Sequence, residues 1–225
     1  VVYFKVYLSG DMPIGLKRMQ DRLREMLDEF RVLAGDHLQY RFINPAAGND
    51  EKERQALFND LRESGLRATN VKSRDKEGGY TQKVIFPGAI ANYGEKQAAL
   101  NLLKNNPGLS ADENLNHSIQ AMEYKLIDAI YKLTLDQKKP IAFVTGQGEL
   151  DKYEVGDVTN ALMDYYRVDR IDLLQDPTNL KEYKTLIVAK PEKPFSREAK
   201  YALDQYLMQG GSIFWLIDRV RIGLD

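Results

Sequence analysis

Cysteine is absent from all 225 residues. Disulfides, thiolate nucleophiles and every cysteine-ligated metal site are excluded together. The redox compartment stays open, because a chain without thiols suits cytoplasm and periplasm alike. An excess of one charge is also missing: Lys plus Arg total 32 against 33 Asp plus Glu, a formal net charge of -1. Nucleic-acid binding therefore lacks its usual electrostatic footprint. No run approaches the ~18–20 consecutive apolar residues that span a bilayer. The given sequence begins on the strand-like Val1-Val2-Tyr3-Phe4-Lys5-Val6-Tyr7-Leu8, so these residues are expected to form a strand and not a signal peptide. Internal repeats and low-complexity segments are lacking. No glycine-rich loop ends in Lys followed by Ser or Thr, so the chain is not a P-loop ATPase.

What is present is an ordinary globular balance, 43% hydrophobic and 29% charged residues, over a length that fits one large domain or two small ones. The chain starts without Met and stops at Asp225, just past the apolar run Ile213-Phe214-Trp215-Leu216-Ile217. A soluble piece of a longer protein is expected, with any membrane anchor in the flanks.

After the opening strand, Ser9-Gly10-Asp11 leads into a helix. Its apolar stripe is Met12, Leu16, Met19, Leu23, Met26, Phe30 and Leu33, and Gly35 stops it. A strand from Leu38 to Asn44 ends at Pro45, and a helix from about Asp50 to Ser64 turns Ala56, Leu57 and Leu61 inward. The polar stretch from Lys72 to Gly79 reads as an exposed loop. A strand from Lys83 through Ile90 faces one from Gln97 to Leu103 across Asn92-Tyr93-Gly94, an antiparallel pair. One long helix closes the half, with Leu115, Ile119, Met122, Leu126, Ile130 and Leu133 as its stripe and Ser110 or Asp112 as its N-cap. This order of strand, helix, strand, helix, hairpin and helix resembles a thioredoxin-like fold.

A polar linker, Asp136-Gln137-Lys138-Lys139-Pro140, marks a boundary between residues 1–136 and residues 137–225. Beyond it, Ile141-Ala142-Phe143-Val144 is a continuous apolar run, followed by a helix from about Tyr153 to Tyr166 and strands at Val168–Leu174 and Leu186–Ala189. Ser196 caps a helix that Gly210-Gly211 ends, and Ile213 to Ile217 is the last strand. Continuous apolar strands alternating with amphipathic helices imply a parallel sheet covered on both faces, a doubly wound α/β layer.

Gly146-Gln147-Gly148-Glu149 sits after a buried strand and before a helix, where open α/β sheets place ligands and where backbone N–H groups can hold an anion. The plainer reading is a strand-to-helix turn, since Asp151 stands where the dinucleotide fingerprint wants a glycine. His37 and His117 are the only histidines and fall in different elements, too few for a cysteine-free zinc site; they read as surface or capping residues. No catalytic, cofactor or metal site is expected. Among thirteen tyrosines, Tyr165, Tyr166, Tyr201 and Tyr206 are candidates for an interface, against the plainer reading of helix packing on the sheet.

The combination of five stretches is more specific than any one motif. They are Val6-Tyr7-Leu8-Ser9-Gly10-Asp11-Met12-Pro13, Tyr40-Arg41-Phe42-Ile43-Asn44-Pro45, Val84-Ile85-Phe86-Pro87-Gly88-Ala89, Ile141 through Glu149, and Ala202 through Ser212. Together they resemble the GldG family, gliding-motility-associated auxiliary components of ABC transporters. The resemblance implies a thioredoxin-like domain lacking cysteines, followed by a flavodoxin-like, glutamine-amidotransferase-like domain truncated at its C-terminus. Each resembles an enzyme fold without its catalytic residues: Gly10-Asp11-Met12-Pro13 replaces the Cys-x-x-Cys pair, and the amidotransferase cysteine is missing. It further implies a non-enzymatic role on the periplasmic side of the cytoplasmic membrane, by protein–protein contact with a GldF-like membrane subunit and, through it, a GldA-like ATPase. The alternative is a substrate-binding module that captures a sugar or peptide at Gly146 to Glu149. Self-association as a two-fold homodimer is expected on symmetry grounds.

Overall fold

The computed structural model describes residues 1–47, 50–74, 80–173, 175 and 180–218. The chain divides into two compact units, Val1–Thr134 and Leu135–Asp225.

In the first unit, β1 (Val2–Val6) is followed by α1 (Ile14–Ala34), which returns the chain so that β2 (Leu38–Phe42) pairs parallel with β1. After α2 (Glu51–Glu63) come β3 (Thr69–Arg74) and β4 (Tyr80–Ile85), antiparallel to each other. Then β5 (Gly88–Tyr93) lies antiparallel to β1 on its free side, and β6 (Lys96–Asn101) pairs with β5. The sheet order is β2-β1-β5-β6, and α3 (Ala111–Gln120) and α4 (Met122–Thr134) complete a thioredoxin-like unit with β3–β4 as a separate two-stranded sheet.

Side-chain alternation along β1 explains the layering. Val2, Phe4 and Val6 are buried in one core with Leu23 of α1 and Leu126 of α4. Tyr7 enters a second, smaller core with Phe58 and Leu61 of α2, Phe86 and Ile90. Buried Gln20 donates its amide to the Leu8 carbonyl at 2.7 Å, so a polar residue on the inner face of α1 has a partner.

Several details depart from the sequence reading. The stripe of α1 includes Gln20 and Leu27, whereas Leu33, near the helix end, is 87% exposed. In α2 Phe58 faces the core and Ala56 faces solvent. The expected Lys83–Ile90 strand is two strands, because Pro87 has no N–H to donate. The first pairs with β3 and the second with β6 through a turn at Gly94-Glu95, where Gly94 takes φ 57°. Lys72 to Arg74 belong to β3 rather than to a loop, and residues 75–79 lie outside the described residues. The long last helix is interrupted at Ala121, although Leu115, Met122, Leu126 and Leu133 still share one buried face.

The second unit contains β7 (Lys139–Thr145), α5 (Gly156–Met163), β8 (Tyr166–Asp172), β9 (Thr185–Ala189), α6 (Arg197–Met208) and β10 (Ser212–Leu216). All its strands are parallel, in the order β10-β9-β7-β8, a doubly wound flavodoxin-like arrangement. Ala142, Val144, Leu186 and Val188 pack with Ala199, Leu203 and Tyr206 of α6. Ile141, Phe143, Ile187 and Ala189 point the other way, into a core that includes Leu162 of α5. The strand expected at Val168 starts at Tyr166 and ends at Asp172; Leu174 lies outside the described residues. The preceding helix is shorter than expected, because Lys152 to Val155 form turns.

The starts of α2, α3 and α6 are fixed by side-chain caps from Asp50, Ser110 and Ser196. Ser110 and Glu113 form a reciprocal capping box on α3: the Glu113 N–H donates to Ser110 Oγ at 3.3 Å, and the Ser110 N–H donates to Glu113 Oε2 at 2.8 Å. Hydrogen bonds from the Ser110 side chain and backbone hold the Glu113 carboxyl below its ordinary value. The N–H groups of Glu154 and Tyr153 do the same for Asp151. A carboxylate lowered by folding stabilises fully above its unfolded pKa, and that contribution disappears as pH falls through the lowered folded value. Thermal scans are therefore expected to show Tm falling on acidification below about pH 4. Ser110→Ala, which costs about 1 kcal/mol at neutral pH, is expected to make that acid limb shallower.

Candidate functional site

Neighbouring strands β7 and β9 send their chains in opposite directions along the sheet, β7 toward α5 and β8, β9 toward α6 and β10. Their C-terminal ends therefore flank the topological switch point, the crevice in which open α/β sheets hold ligands. The turn after β7 is Gly146-Gln147-Gly148-Glu149. Gly146 and Gly148 take φ 112° and 81°, the region that glycine enters freely. Between them Gln147 is only 1% exposed.

A compact set of bonds holds this turn. The Gln147 carbonyl accepts the N–H groups of Glu192 at 3.0 Å and Lys193 at 2.8 Å, both from the connection after β9. The Gln147 N–H donates to Glu149 Oε2 at 2.8 Å, and the Leu150 N–H donates to the Ala189 carbonyl at 3.0 Å. At the start of the β9 connection, Lys190 has φ 54°, the one non-glycine with positive φ among the described residues. Its N–H donates to the Leu216 carbonyl at 2.8 Å, and its ammonium lies 3.7 Å from Asp218. Among the described residues three side-chain polar atoms are buried without a hydrogen-bond partner: both carboxamide atoms of Gln147, and Glu149 Oε1.

This geometry changes the reading of the turn. An anion cradle would keep its backbone N–H groups free, yet the Gln147 N–H is already taken by a carboxylate of the turn itself. The arrangement instead offers a neutral carboxamide and one carboxylate oxygen. Asp151 takes no part: it accepts the N–H groups of Tyr153 and Glu154 at 2.8 and 2.9 Å and so caps the turn before α5. Among the described residues no group of three or more His, Asp or Glu could hold a metal ion. His37 lies in a short turn after α1 and His117 on α3, both exposed.

The four candidate interface tyrosines separate into different environments. Tyr206 is 4% exposed; its hydroxyl lies 3.1 Å from the Tyr183 carbonyl and 3.2 Å from both the carbonyl and the N–H of Ser212. It is a core residue of α6 and cannot anchor a partner. A Cβ at Gly211 would run into its ring. Tyr165 and Tyr166 are half-buried with ring centroids 6.5 Å apart, and Tyr166 is the first residue of β8 rather than part of a helix. Only Tyr201, 66% exposed, presents its ring, beside a cavity of about 500 Å³ lined also by Arg197, Ala202 and Gln205.

A surface that the sequence reading missed lies on the first unit. Val32 and Leu33 of α1 and Tyr124, Ile127 and Tyr131 of α4 are all exposed. Phe30, Leu33, Tyr93, Ile127 and Ile130 line a shared cavity of about 460 Å³ there. The signal was present in α4, whose apolar residues at Tyr124, Ile127 and Tyr131 fall outside the stripe that faces the core.

Substitutions separate these roles. Tyr206→Phe is expected to destabilise by about 1 kcal/mol through its lost hydrogen bonds, whereas Tyr201→Ala stays within about 0.5 kcal/mol of the parent, both read by urea titration. At Gly148 a Cβ would meet the Glu192 Cβ at 3.2 Å on a backbone of φ 81°. Gly148→Ala is therefore expected to lower stability by more than about 1 kcal/mol in the same titration.

Among the described residues no helix is long and apolar enough to cross a membrane. No curated protein and no solved structure matches the chain. Residues 1–92 match the family model of a domain of unknown function (DUF7088). Residues 138–225, which include every element of the second unit, match the family model described as an ABC-type uncharacterized transport system, so this part of the chain is similar to an auxiliary family of ABC transporters, which supports a transporter-associated role.

Proposed function

We propose that the chain is a non-enzymatic, partner-binding component of an ABC transporter complex, held on the periplasmic side of the cytoplasmic membrane. The observation that carries this reading is the exposed apolar face of α1 and α4, formed by Leu33, Ile127 and their neighbours in a unit whose core is otherwise well buried. Apolar surface that folding leaves in water is characteristic of protein-binding sites. The transport-system match on residues 138–225 supplies the setting.

The finer reading follows the GldG-like sequence stretches. In it the complex serves gliding motility, and the apolar face meets a GldF-like membrane subunit that couples to a GldA-like ATPase. Homodimerisation belongs to the same reading, through the second unit, with the exposed Tyr201 and not the buried Tyr206 as its anchor. The candidate ligand turn is then a binding feature, presenting the Gln147 carboxamide and one Glu149 carboxylate oxygen.

Site-specific photo-cross-linkers at Leu33 and Ile127, activated in membranes of the source cell, test this reading. The expected product joins the chain to a membrane-spanning transporter subunit, and the same probe at Lys5, exposed on the outer face of β1, gives none. Equal capture from both faces, or hydrolase or amidase turnover by the purified chain, would overturn it.

A further inference from the structure

The crevice between β7 and β9 breaks two local rules at once. A strand-to-helix turn needs no carboxamide at its buried position, and an apolar side chain there would avoid burying polar atoms without partners. Gln147 nevertheless places Nε2 and Oε1 inside with no partner among the described residues, and Glu149 adds an Oε1 that has none there either. Around them the backbone holds a left-handed conformation at Gly146, at Gly148 and at the non-glycine Lys190. Buried unpaired polar atoms and stored backbone strain coincide where the fold already places ligands, and such coincidence marks a site whose partner comes from outside.

We propose that this crevice binds an extended peptide segment of a partner protein through its main-chain amides. The proposal rests on the partner-binding reading and gives the chemistry of what is bound. Its basis is a count of hydrogen-bonding groups. A carboxamide offers donor and acceptor on one planar group, the complement of the N–H and C=O that one residue of an extended chain turns to the same side. The remaining Glu149 oxygen accepts one further N–H. A pyranose brings more hydroxyls than three unpaired atoms can satisfy. The rim carries Glu192 and Lys193, of opposite charge, and so selects for neither an anion nor a cation.

The three atoms are closed to solvent, so access requires the 190–195 connection to lift. That connection is joined to the turn by the N–H groups of Glu192 and Lys193 on the Gln147 carbonyl. Lys190 at its start is the hinge: as the connection lifts, its backbone leaves the left-handed region.

The test uses the full chain, labelled with nitrogen-15, and N-acetylalanine N-methylamide as an uncharged peptide probe. The Gln147 side-chain amide signal is assigned by its disappearance in Gln147→Leu. Titration is expected to give a saturable shift of that signal and of the Lys193 backbone amide. The Lys193 shift is lost in Gln147→Leu, and binding is about tenfold weaker in Glu149→Gln, which keeps shape but removes charge. Gln147→Leu is also expected to raise Tm, because the unpaired amide is removed. The absence of a saturable shift, an equal response to glucose, or a lower Tm in Gln147→Leu would each overturn the proposal. Cross-linking from Leu33 and Ile127 is independent of the crevice, so a failed titration with intact cross-linking removes this site and leaves the partner-binding reading in place.

Discussion

Each unit is organised by its own first strand, which has hydrogen-bonded neighbours on both sides. β1 lies between β2 and β5, and β7 lies between β8 and β9. A buried strand must pair its backbone groups on both edges, so this central placement constrains the positions of the remaining strands. The requirement is stricter in the second unit. Ile141 to Val144 are buried on both sheet faces, which forces helices onto both, and the chain must then leave the sheet in opposite directions on either side of β7. The crevice at Gln147 is a geometric consequence of that departure. In the first unit the demand is one-sided. Phe4 and Val6 are buried under α1 and α4, while Lys5 faces water and α2 covers only the end of the sheet around Tyr7 and Ile90.

The two units thus offer different kinds of surface. The first carries an apolar face on α1 and α4 that its own core does not use, suited to a broad contact with another folded surface. The second buries, among the described residues, three side-chain polar atoms of Gln147 and Glu149 without hydrogen-bond partners, at the turn where β7 and β9 diverge.

Legibility from sequence followed the strength of the physical signal. β7 could be read because a fully buried parallel strand has to be continuously apolar. α6 could be read because Ser196, whose hydroxyl accepts the Ala199 N–H, and Gly210-Gly211 mark its ends. The β3–β4 pair could not be read, since Thr69 to Arg74 form a mostly polar strand of a two-stranded ribbon with little apolar alternation. The exposure of Leu33 and the burial of Tyr206 were equally hidden. Both residues fit an amphipathic stripe, and only the packing of neighbouring elements decides which part of a stripe is covered. For the candidate turn, sequence gave the location by topology alone. The burial of Gln147 and its unpaired amide depend on the connection after β9, some forty residues later in the chain.

The contact between Tyr206 and Gly211 has an evolutionary consequence. Gly211 has no left-handed dihedral to explain it; the ring of Tyr206 fills the space where its side chain would stand. The residue permitted at one position is therefore set by the volume at the other, and their substitutions are not independent. A side chain can appear at 211 only after the ring at 206 has shrunk, so the two changes are tolerated in one order and selected against in the reverse. In a set of related sequences, this pair would appear as a covariation in which a small residue at 211 accompanies an aromatic residue at 206.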